Sequence, residues 1–580
     1  MPFNLITDPW LPVRRLSGKS ETVRPGDIAD SFNDDPILAL DFPRPDWNAA
    51  VTEFLIGLLA TVMPPADTSA WADLWATPPM PDELNEKLAH IAFAFNLDGE
   101  SPRCFQDFDQ PDVSWAQRPI EWLVLAGPVE NTVKLNTDLF SKRDQIATLC
   151  VPYCAAALIT QQTYAPEGGP GFRTSVRGGG PLTTLARVRR KLPDNLCDAT
   201  LWDLVWANTP DNAWSDAHEL SNLTGNDSVW STVFPWLGPT RTSENDKPTT
   251  LDHIHKLQAF FGLPCRIRLN FEASDTLKLC SLNGPITFGS LATWWTKKHG
   301  VKYEGVTHPL SPYNVNGNRP KTAGHHRPGV GTYRDWLKWA EDPDRKTAER
   351  AACIEAWGKR LGRIKAYSAY DDSAEFRTAD IWQSSILAWG YDFKQNKARA
   401  WLNARIPFFD PPPNIDPDQW SEQFLKRARN LVDGADKAAA ALRFRSRLAC
   451  FGARDKENGS YSLPKNSGGK DAFEDLIERY WRATERAFRD ALAGLRNNPD
   501  DEGKSIRGEF LTSLRKTALT FFDEIAGTDD LMESDAHRIV VARSNLQFSF
   551  ASTGEVSRAL DISVQQSKTP KKQGTKKDAA

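Results

Sequence analysis

The run richest in chemistry-bearing residues is Ala165–Leu185, which reads APEGGPGFRTSVRGGGPLTTL. It holds six glycines, three prolines and two arginines between an apolar helical stretch and an apolar strand-like one. Glycine admits positive φ and lets backbone N–H groups approach a ligand with no Cβ in the way. Arg173 and Arg177 are the residue type that clamps phosphates or enters a narrow minor groove. A plain surface connection has the same composition, and the run alone leaves both readings open. No phosphate-binding GxxxxGK[ST] loop, HExxH pair or EF-hand loop occurs, and Gly329-Val330-Gly331 lacks the third glycine of a dinucleotide fingerprint. His253 with His255, and His325 with His326, come nearest to a metal pair, but no third ligand stands at suggestive spacing. Asp371-Asp372 and Asp529-Asp530 read as solvated carboxylates in polar loops or at helix starts. No catalytic residue, metal or cofactor is therefore expected. The enzymatic rival is a sugar cleft lined by some of the 21 tryptophans and a facing carboxylate pair.

The elements that must position these residues fall into two regions, an α+β arrangement of a large mixed N-terminal domain followed by a C-terminal four-helix bundle. In the first, alternation over Phe3–Val13 suggests a strand stopped at Pro12. Helical spacing marks 47–63, 82–96 and 148–163. Arg266–Phe271 and Thr276–Cys280 read as a hairpin around Ser274-Asp275. Proline density from Pro407 onward makes a stiff break. Beyond it, Phe473, Leu476, Ile477, Tyr480, Trp481, Phe488, Leu492 and Leu495 share a helix face. Phe510, Leu514, Ala518, Phe521 and Ile525 repeat the pattern, between helices near 418–450 and 533–548. The expected boundaries are 1–406, a linker at 407–419, the bundle at 420–562 and a disordered basic tail at 563–580.

Charge and cysteine usage narrow the setting. A net charge of −4 argues against indiscriminate coating of nucleic acid, which needs a basic excess to displace counterions. It suits a subunit that takes much of its affinity from partners. No apolar run has the length of a membrane span, and the eight cysteines form no CxxC pair. Cys150 and Cys154 can share a helix face, and Cys265 and Cys280 can face each other across the hairpin. Reduced thiols in a soluble, cytoplasmic protein are the expectation.

Four motifs occur in order along nearly the whole chain: FNLITDPWLPV from Phe3, APEGGPGF with RGGGPLTTL, His308–Tyr313 as HPLSPY, and Gly390–Trp401 as GYDFKQNKARAW. The set resembles the CasA family, the large subunit of the type I-E CRISPR surveillance complex Cascade. That resemblance implies a non-catalytic protein that reads the protospacer-adjacent motif (PAM) of double-stranded DNA. It also implies that the subunit starts unwinding toward an R-loop, holds the displaced strand and recruits a helicase-nuclease in antiviral defence. Its partners would be the other Cascade subunits and CRISPR RNA, with no membrane. The family's glycine loop falls on Glu167, Gly168, Gly169, Pro170 and Gly171, flanked by Arg173 and Arg177. Its wedge falls on Gln395, Asn396, Lys397 and Ala398, with Lys397 at the tip. Its basic finger falls on Asn318, Arg319 and Lys321, and its guide-end loop on Phe140, Lys142 and Arg143. On the long bundle helix, Lys426, Arg427 and Arg429, with Arg443, Arg445 and Arg447, are the candidates for tracking the displaced strand. The alternative within this reading is a purely structural scaffold subunit that never touches DNA.

Overall fold

The computed structural model describes residues 2–562 apart from 128–133, 135–142, 167–171, 192–196, 222, 274–278, 285–287, 318, 326–332, 341–347, 369–380, 395–396, 408–415, 456–458, 465–469 and 527–535. The chain divides into two compact units. The first is Met1–Arg327 with Lys338–Phe409, and the second is Pro328–Leu337 with Asp410–Ala580.

The first unit begins with a turn where alternation suggested a strand. The Asn4 side chain accepts from the Ile6 N–H (2.9 Å) and donates to Ala92 O (2.7 Å) and Asn96 Oδ1 (2.8 Å), folding Phe3–Trp10 back on itself. The strand β1 starts only at Leu11 and runs to Arg15, with Pro12 inside it opposite Thr22. It pairs antiparallel with β2 (Ser20–Val23) and β3 (Ile37–Leu40). Helix α1 (Pro45–Val62) is buried around almost its whole circumference, as a central helix must be. Next come α2 (Thr68–Ala76), α3 (Pro81–Ala89), β4 (Ala116–Arg118) and the buried α4 (Val151–Tyr164). The helix expected over 82–96 thus ends at Ala89, and a separate 3-10 turn covers Ala92–Ala94. Apart from short helical turns, there follow β5 (Thr183–Lys191), β6 (Cys197–Asp198), α5 (Leu201–Ala207), β7 (Arg266–Glu272), β8 (Ser290–Lys297), β9 (Tyr313–Asn316), β10 (Arg319–Ala323), β11 (Ala348–Glu349), α6 (Ala352–Ser368), β12 (Ile381–Lys394) and β13 (Lys397–Pro407).

These strands form small antiparallel sheets in the orders β13-β12-β5-β6, β4-β8-β7 and β10-β9-β11. Strand β7 is where the sequence put it, but its partner is β8, with Leu269 opposite Trp294. Leu279 and Cys280 belong to no strand, and Thr276 to Lys278 lie outside the described residues. The physical cause is the Ser281 N–H, which donates to Thr148 O (2.9 Å) and draws this stretch to the start of α4. Cys280 therefore lies beside Cys150, at the start of α4, and not in a strand of a hairpin with Cys265.

Tryptophan supplies much of the core volume. Trp71 and Trp75 stack on α2, Trp202 and Trp206 stack on α5, and the two pairs exchange bonds. The indole of Trp71 donates to Trp206 O (3.1 Å), and that of Trp206 donates to Trp71 O (3.0 Å). A buried indole needs an acceptor for its N–H, and two helices satisfy each other here. These rings are sealed in the core, so they line no sugar cleft.

The second unit is helical: α7 (Pro417–Phe451), α8 (Lys470–Asn497), α9 (Ser505–Ala526), α10 (Ala536–Ser549) and the short α11 (Glu555–Ala559). Helix α7 starts at Pro417, within the stretch read as linker, with Asp416 capping it through the Gln419 N–H (2.9 Å). The apolar face of α8 is buried as its spacing required. On α9, Phe522 points inward in place of Phe521, since it stands four residues after Ala518. Phe521 instead takes the Arg479 guanidinium over its ring. The bundle also incorporates a segment from far upstream. Tyr333 stacks on Phe488 (4.2 Å) and hydrogen-bonds Thr484 Oγ1 (2.8 Å), and Trp336 packs on Phe424 and Phe488. The core of this unit is therefore not made by residues after the prolines alone.

Tyr333→Phe removes one buried hydrogen bond and is expected to destabilise the bundle by about 1 kcal/mol. Tyr333→Ala leaves a cavity and is expected to cost about 3–5 kcal/mol. Urea titration followed by amide exchange in α7 and α8 measures both. Equal protection in wild type and Tyr333→Ala would show that the upstream segment is dispensable.

Candidate nucleic-acid interface

The flanks of the glycine-rich run are closed at their base. The Ser175 N–H donates to Ala165 O (3.2 Å) and the Gly180 N–H to Tyr164 O (3.3 Å), so the last residues of α4 are stitched to the stretch leading into β5. Glu167, Gly168, Gly169, Pro170 and Gly171, which follow Pro166 in the sequence, lie outside the described residues. The stretch Gly178–Leu182 is then clasped on two sides. On one, Pro181 bridges His325, and the Leu182 N–H donates to Gly324 O (2.8 Å) just past β10. On the other it lies against β12. Gly180 has φ +64°, and a Cβ there would meet the Phe393 ring at 2.5 Å. A Cβ on Gly390 would meet Pro181 O at 2.7 Å. Only glycine tolerates both approaches.

Strands β12 and β13 form a long hairpin in which Lys394 pairs with Lys397. The expected wedge thus falls where the two strands of this hairpin meet. Gln395 and Asn396 stand between the paired lysines, outside the described residues, while Ala398 is half-buried and pairs with Phe393. The finger is likewise a hairpin end, where Asn316 pairs with Arg319 around Gly317 (φ +61°). Asn318 lies outside the described residues, and Lys321 is exposed but bound to Glu349 at 2.7 Å. Of the guide-end loop, Phe140 and Lys142 lie outside the described residues, and Arg143 is exposed.

Two cations assigned to DNA are instead engaged within the fold, one of them buried. Arg177 is buried, with 2 % of its side chain exposed, and pairs with Glu53 at 2.6 Å. Its second terminal nitrogen, Nη1, donates to Thr183 Oγ1 (2.9 Å) and Ser311 Oγ (3.0 Å). A guanidinium committed this way has no donor left facing solvent, so Arg177 is a structural cation and not a phosphate clamp. Arg427 is held by Asp561 Oδ2 (2.7 Å) and Asp500 O (2.8 Å), which ties the end of the bundle to α7. Arg173 is engaged with Ser243 Oγ (2.6 Å) and Asp246 (3.3 Å) at the surface. Lys426 and Arg429 are exposed on α7; Arg443 pairs with Glu474 (3.4 Å), and Arg445 lies over Phe444.

Glu53 is the residue that spacing arguments missed. Its carboxylate accepts from Tyr164 OH (2.5 Å), Thr183 Oγ1 (2.7 Å), Trp389 Nε1 (3.0 Å) and Arg177. Two turns earlier on α1, Asp46 accepts from Tyr391 OH (2.5 Å). Burial, and then the neighbouring carboxylate, push Tyr164 and Tyr391 well above the ordinary phenol value, so both remain donors. Burial, and then the Arg177 charge, keep His308 well below the usual imidazole value. The signal was present as one acid inside the apolar run Val51–Ala60.

The first histidine pair serves local turns. His255 Nδ1 accepts from the Leu257 N–H and His253 Nδ1 from the Thr250 N–H, each at 3.2 Å. His326, Asp371, Asp372, Asp529, Asp530 and the Gly329–Gly331 stretch lie outside the described residues. Among the described residues, no three metal-ligating side chains come together. A cavity of about 310 Å³ is lined by Asp211 and Glu355, but Asp211 caps a helical turn through the Trp214 N–H and Glu355 pairs with Lys359 (2.8 Å). Among the described residues, no helix is long and apolar enough to cross a membrane.

The fold has known counterparts. CasA from Thermus thermophilus superposes with a TM-score of 0.61 at 16% identity, covering 94% of this chain and 99% of that one. Cse1 from Acidimicrobium ferrooxidans gives 0.60 at 17% identity, over 97% and 99%. A chain of a CRISPR RNA-guided surveillance complex gives 0.61 at 14% identity, over 95% and 99%. The family described as CRISPR-associated protein Cse1 matches residues 4–521, and the chain belongs to it.

Proposed function

We propose that this protein is the large subunit of a type I-E CRISPR RNA-guided surveillance complex and reads the PAM duplex through its glycine-rich loop. The observation that carries the reading is the clasp around Gly178–Leu182. It roots the flanks of residues 167–171, the end of β10 and the β12–β13 hairpin in one place. A glycine loop lying along a minor groove supplies readout that is mainly A·T against G·C. The hairpin end at Lys397 acts as the wedge. Unstacking the first base step costs a few kcal/mol, and guide pairing offsets it. The Asn318–Lys321 hairpin end supplies cationic contact beside it, and the Phe140–Arg143 segment meets the guide's end. Lys426 and Arg429 contribute to holding the displaced strand, and the assembled subunit presents the docking surface for the helicase-nuclease. The protein acts by binding, in the cytoplasm, with the other subunits and the CRISPR RNA supplying the rest of the affinity.

The scaffold alternative draws support from Arg177 and Arg427, since both serve the fold. It predicts DNA binding indifferent to the loop.

In the complete guide-loaded complex, Gly168→Asp places a bulky anion in the loop. It is expected to weaken binding of a PAM-bearing duplex about 10- to 100-fold, the size of one lost base contact. Assembly, followed by size exclusion, should be unchanged. Unaltered affinity and sequence preference at several salt concentrations would establish the scaffold reading instead.

Lys397→Ala is expected to act at the next step. Closed-duplex binding should stay within about threefold while opening beside the PAM, read with a fluorescent base analogue, falls about tenfold. Opening at the wild-type level would remove Lys397 from the wedge.

A further inference from the structure

Glu53 bonds to both flanks of the glycine-rich loop and to the hairpin at once. Tyr164 is the last residue of α4, before the loop, and Arg177 and Thr183 follow it. Trp389 lies on β12, five residues before its end at Lys394. Tyr391, two residues on and on the same face, reaches Asp46, and Asp46 and Glu53 lie seven residues apart on one face of α1. Trp401 of β13 closes the set against Tyr164 (5.5 Å) and Tyr391 (4.8 Å). Helix α1 thereby acts as a rigid bar with a carboxylate at each of two points, and both candidate DNA-contacting segments hang from it.

We propose that Glu53 is a positioning residue that sets the spacing between the glycine-rich loop and the β12–β13 hairpin, so that reading the motif and opening the duplex occur in register. This rests on the DNA-reading function proposed above. The carboxylate touches no DNA. Its effect is mechanical: a hairpin displaced at Trp389 moves the shared acceptor, and the loop flanks follow through Tyr164, Thr183 and Arg177. Coupling carried through a contiguous hydrogen-bonded network of this kind is testable from either end.

Four variants of the full guide-loaded complex provide the test. Trp389→Phe removes the hairpin's bond to Glu53, together with part of the indole's packing volume. Glu53→Gln keeps the shape but leaves Arg177 without its counter-charge, and Glu53→Gln/Arg177→Gln removes both charges together. Asp107→Asn breaks a comparable buried pair, Arg266–Asp107 at 2.6 Å, elsewhere in the same unit. Amide exchange is followed at Ser175–Leu182 and at Trp389–Phe393, alongside the ratio of affinities for PAM-bearing and PAM-free duplexes. Trp389→Phe and Glu53→Gln are expected to speed exchange in both segments together and to lower the affinity ratio about tenfold. The double variant should recover the ratio to within about threefold, and Asp107→Asn should leave it at the wild-type value. If Glu53→Gln does not assemble, Trp389→Phe and the double variant decide the question.

Exchange that rises only at the mutated segment would overturn the coupling. A ratio lowered equally by Asp107→Asn would reduce the effect to lost stability, and an unaltered ratio with both segments loosened would make Glu53 structural only. If Gly168→Asp leaves the ratio intact, the DNA-reading assignment fails, and the exchange measurement still decides whether Glu53 ties the two segments.

Discussion

A carboxylate taken out of water must find opposite charge and hydrogen-bond donors, because an unpaired buried ion is far less stable than a solvated one. Glu53 meets that requirement with donors from residues 164, 177, 183 and 389, none of them near it in sequence. The first unit depends on this constraint. Its sheets are small, its connections are irregular, and no single strand order unites them. A central helix carrying buried carboxylates that must be satisfied selects among the ways these pieces could pack. Removing one member of such a pair typically costs about 3–5 kcal/mol, a large part of the stability of an ordinary domain. A hydrophobic substitute for the pair could be as stable, yet it would be indifferent to register. The directional bonds to Trp389 and Tyr164 are what fix relative position.

The remaining volume is filled by aromatic rings, and this explains the abundance of tryptophan without a ligand. Irregular packing leaves gaps of uneven shape that an indole fills, in some cases with its N–H on a carbonyl and in others, as at Trp47 and Trp357, without an acceptor. Trp71, Trp206 and Trp236 all find a carbonyl in the core. The second unit solves the problem differently. Long amphipathic helices bury regular faces, and polar contacts tie their ends: Asp501 and Arg507 pair at 2.8 Å with Arg507 also reaching Leu560 O, and Arg538 reaches Ala449 O and Gly452 O.

That contrast explains what was legible in the sequence. Period 3.6 over many turns is a strong signal, so α1, α4 and the four long helices stood near their expected bounds. The error of Phe521 for Phe522 is the drift expected when a face is extrapolated over several turns. Short strands carry a weak signal that one side chain can override. Asn4 turned an alternating run into a bend, and the partner of β7 lay beyond an intervening stretch that alternated equally well. The Tyr333 segment had no local mark at all, because its role depends on a groove built more than eighty residues later. The proline-rich stretch correctly marks a break in pattern, but a break in pattern is not the edge of a core.

The candidate site divides along the same line. Thr183 of PLTTL, Ser311 of HPLSPY, and Tyr391 and Gly390 of GYDFKQNKARAW are buried or tightly packed members of the clasp and the carboxylate network. The motifs that made the resemblance readable are therefore largely the supports of the site. Geometry that is over-determined by packing restricts residue choice, whereas a short hairpin end restricts little beyond turn chemistry. The consequence for binding follows from charge. With Arg177 buried in its ion pair and a net charge of −4, the chain carries no overall basic excess with which to hold a duplex by backbone contact alone. A reader built this way gains specificity from the fixed spacing of a few contacts, and it must take its residence on DNA from the assembly that presents it.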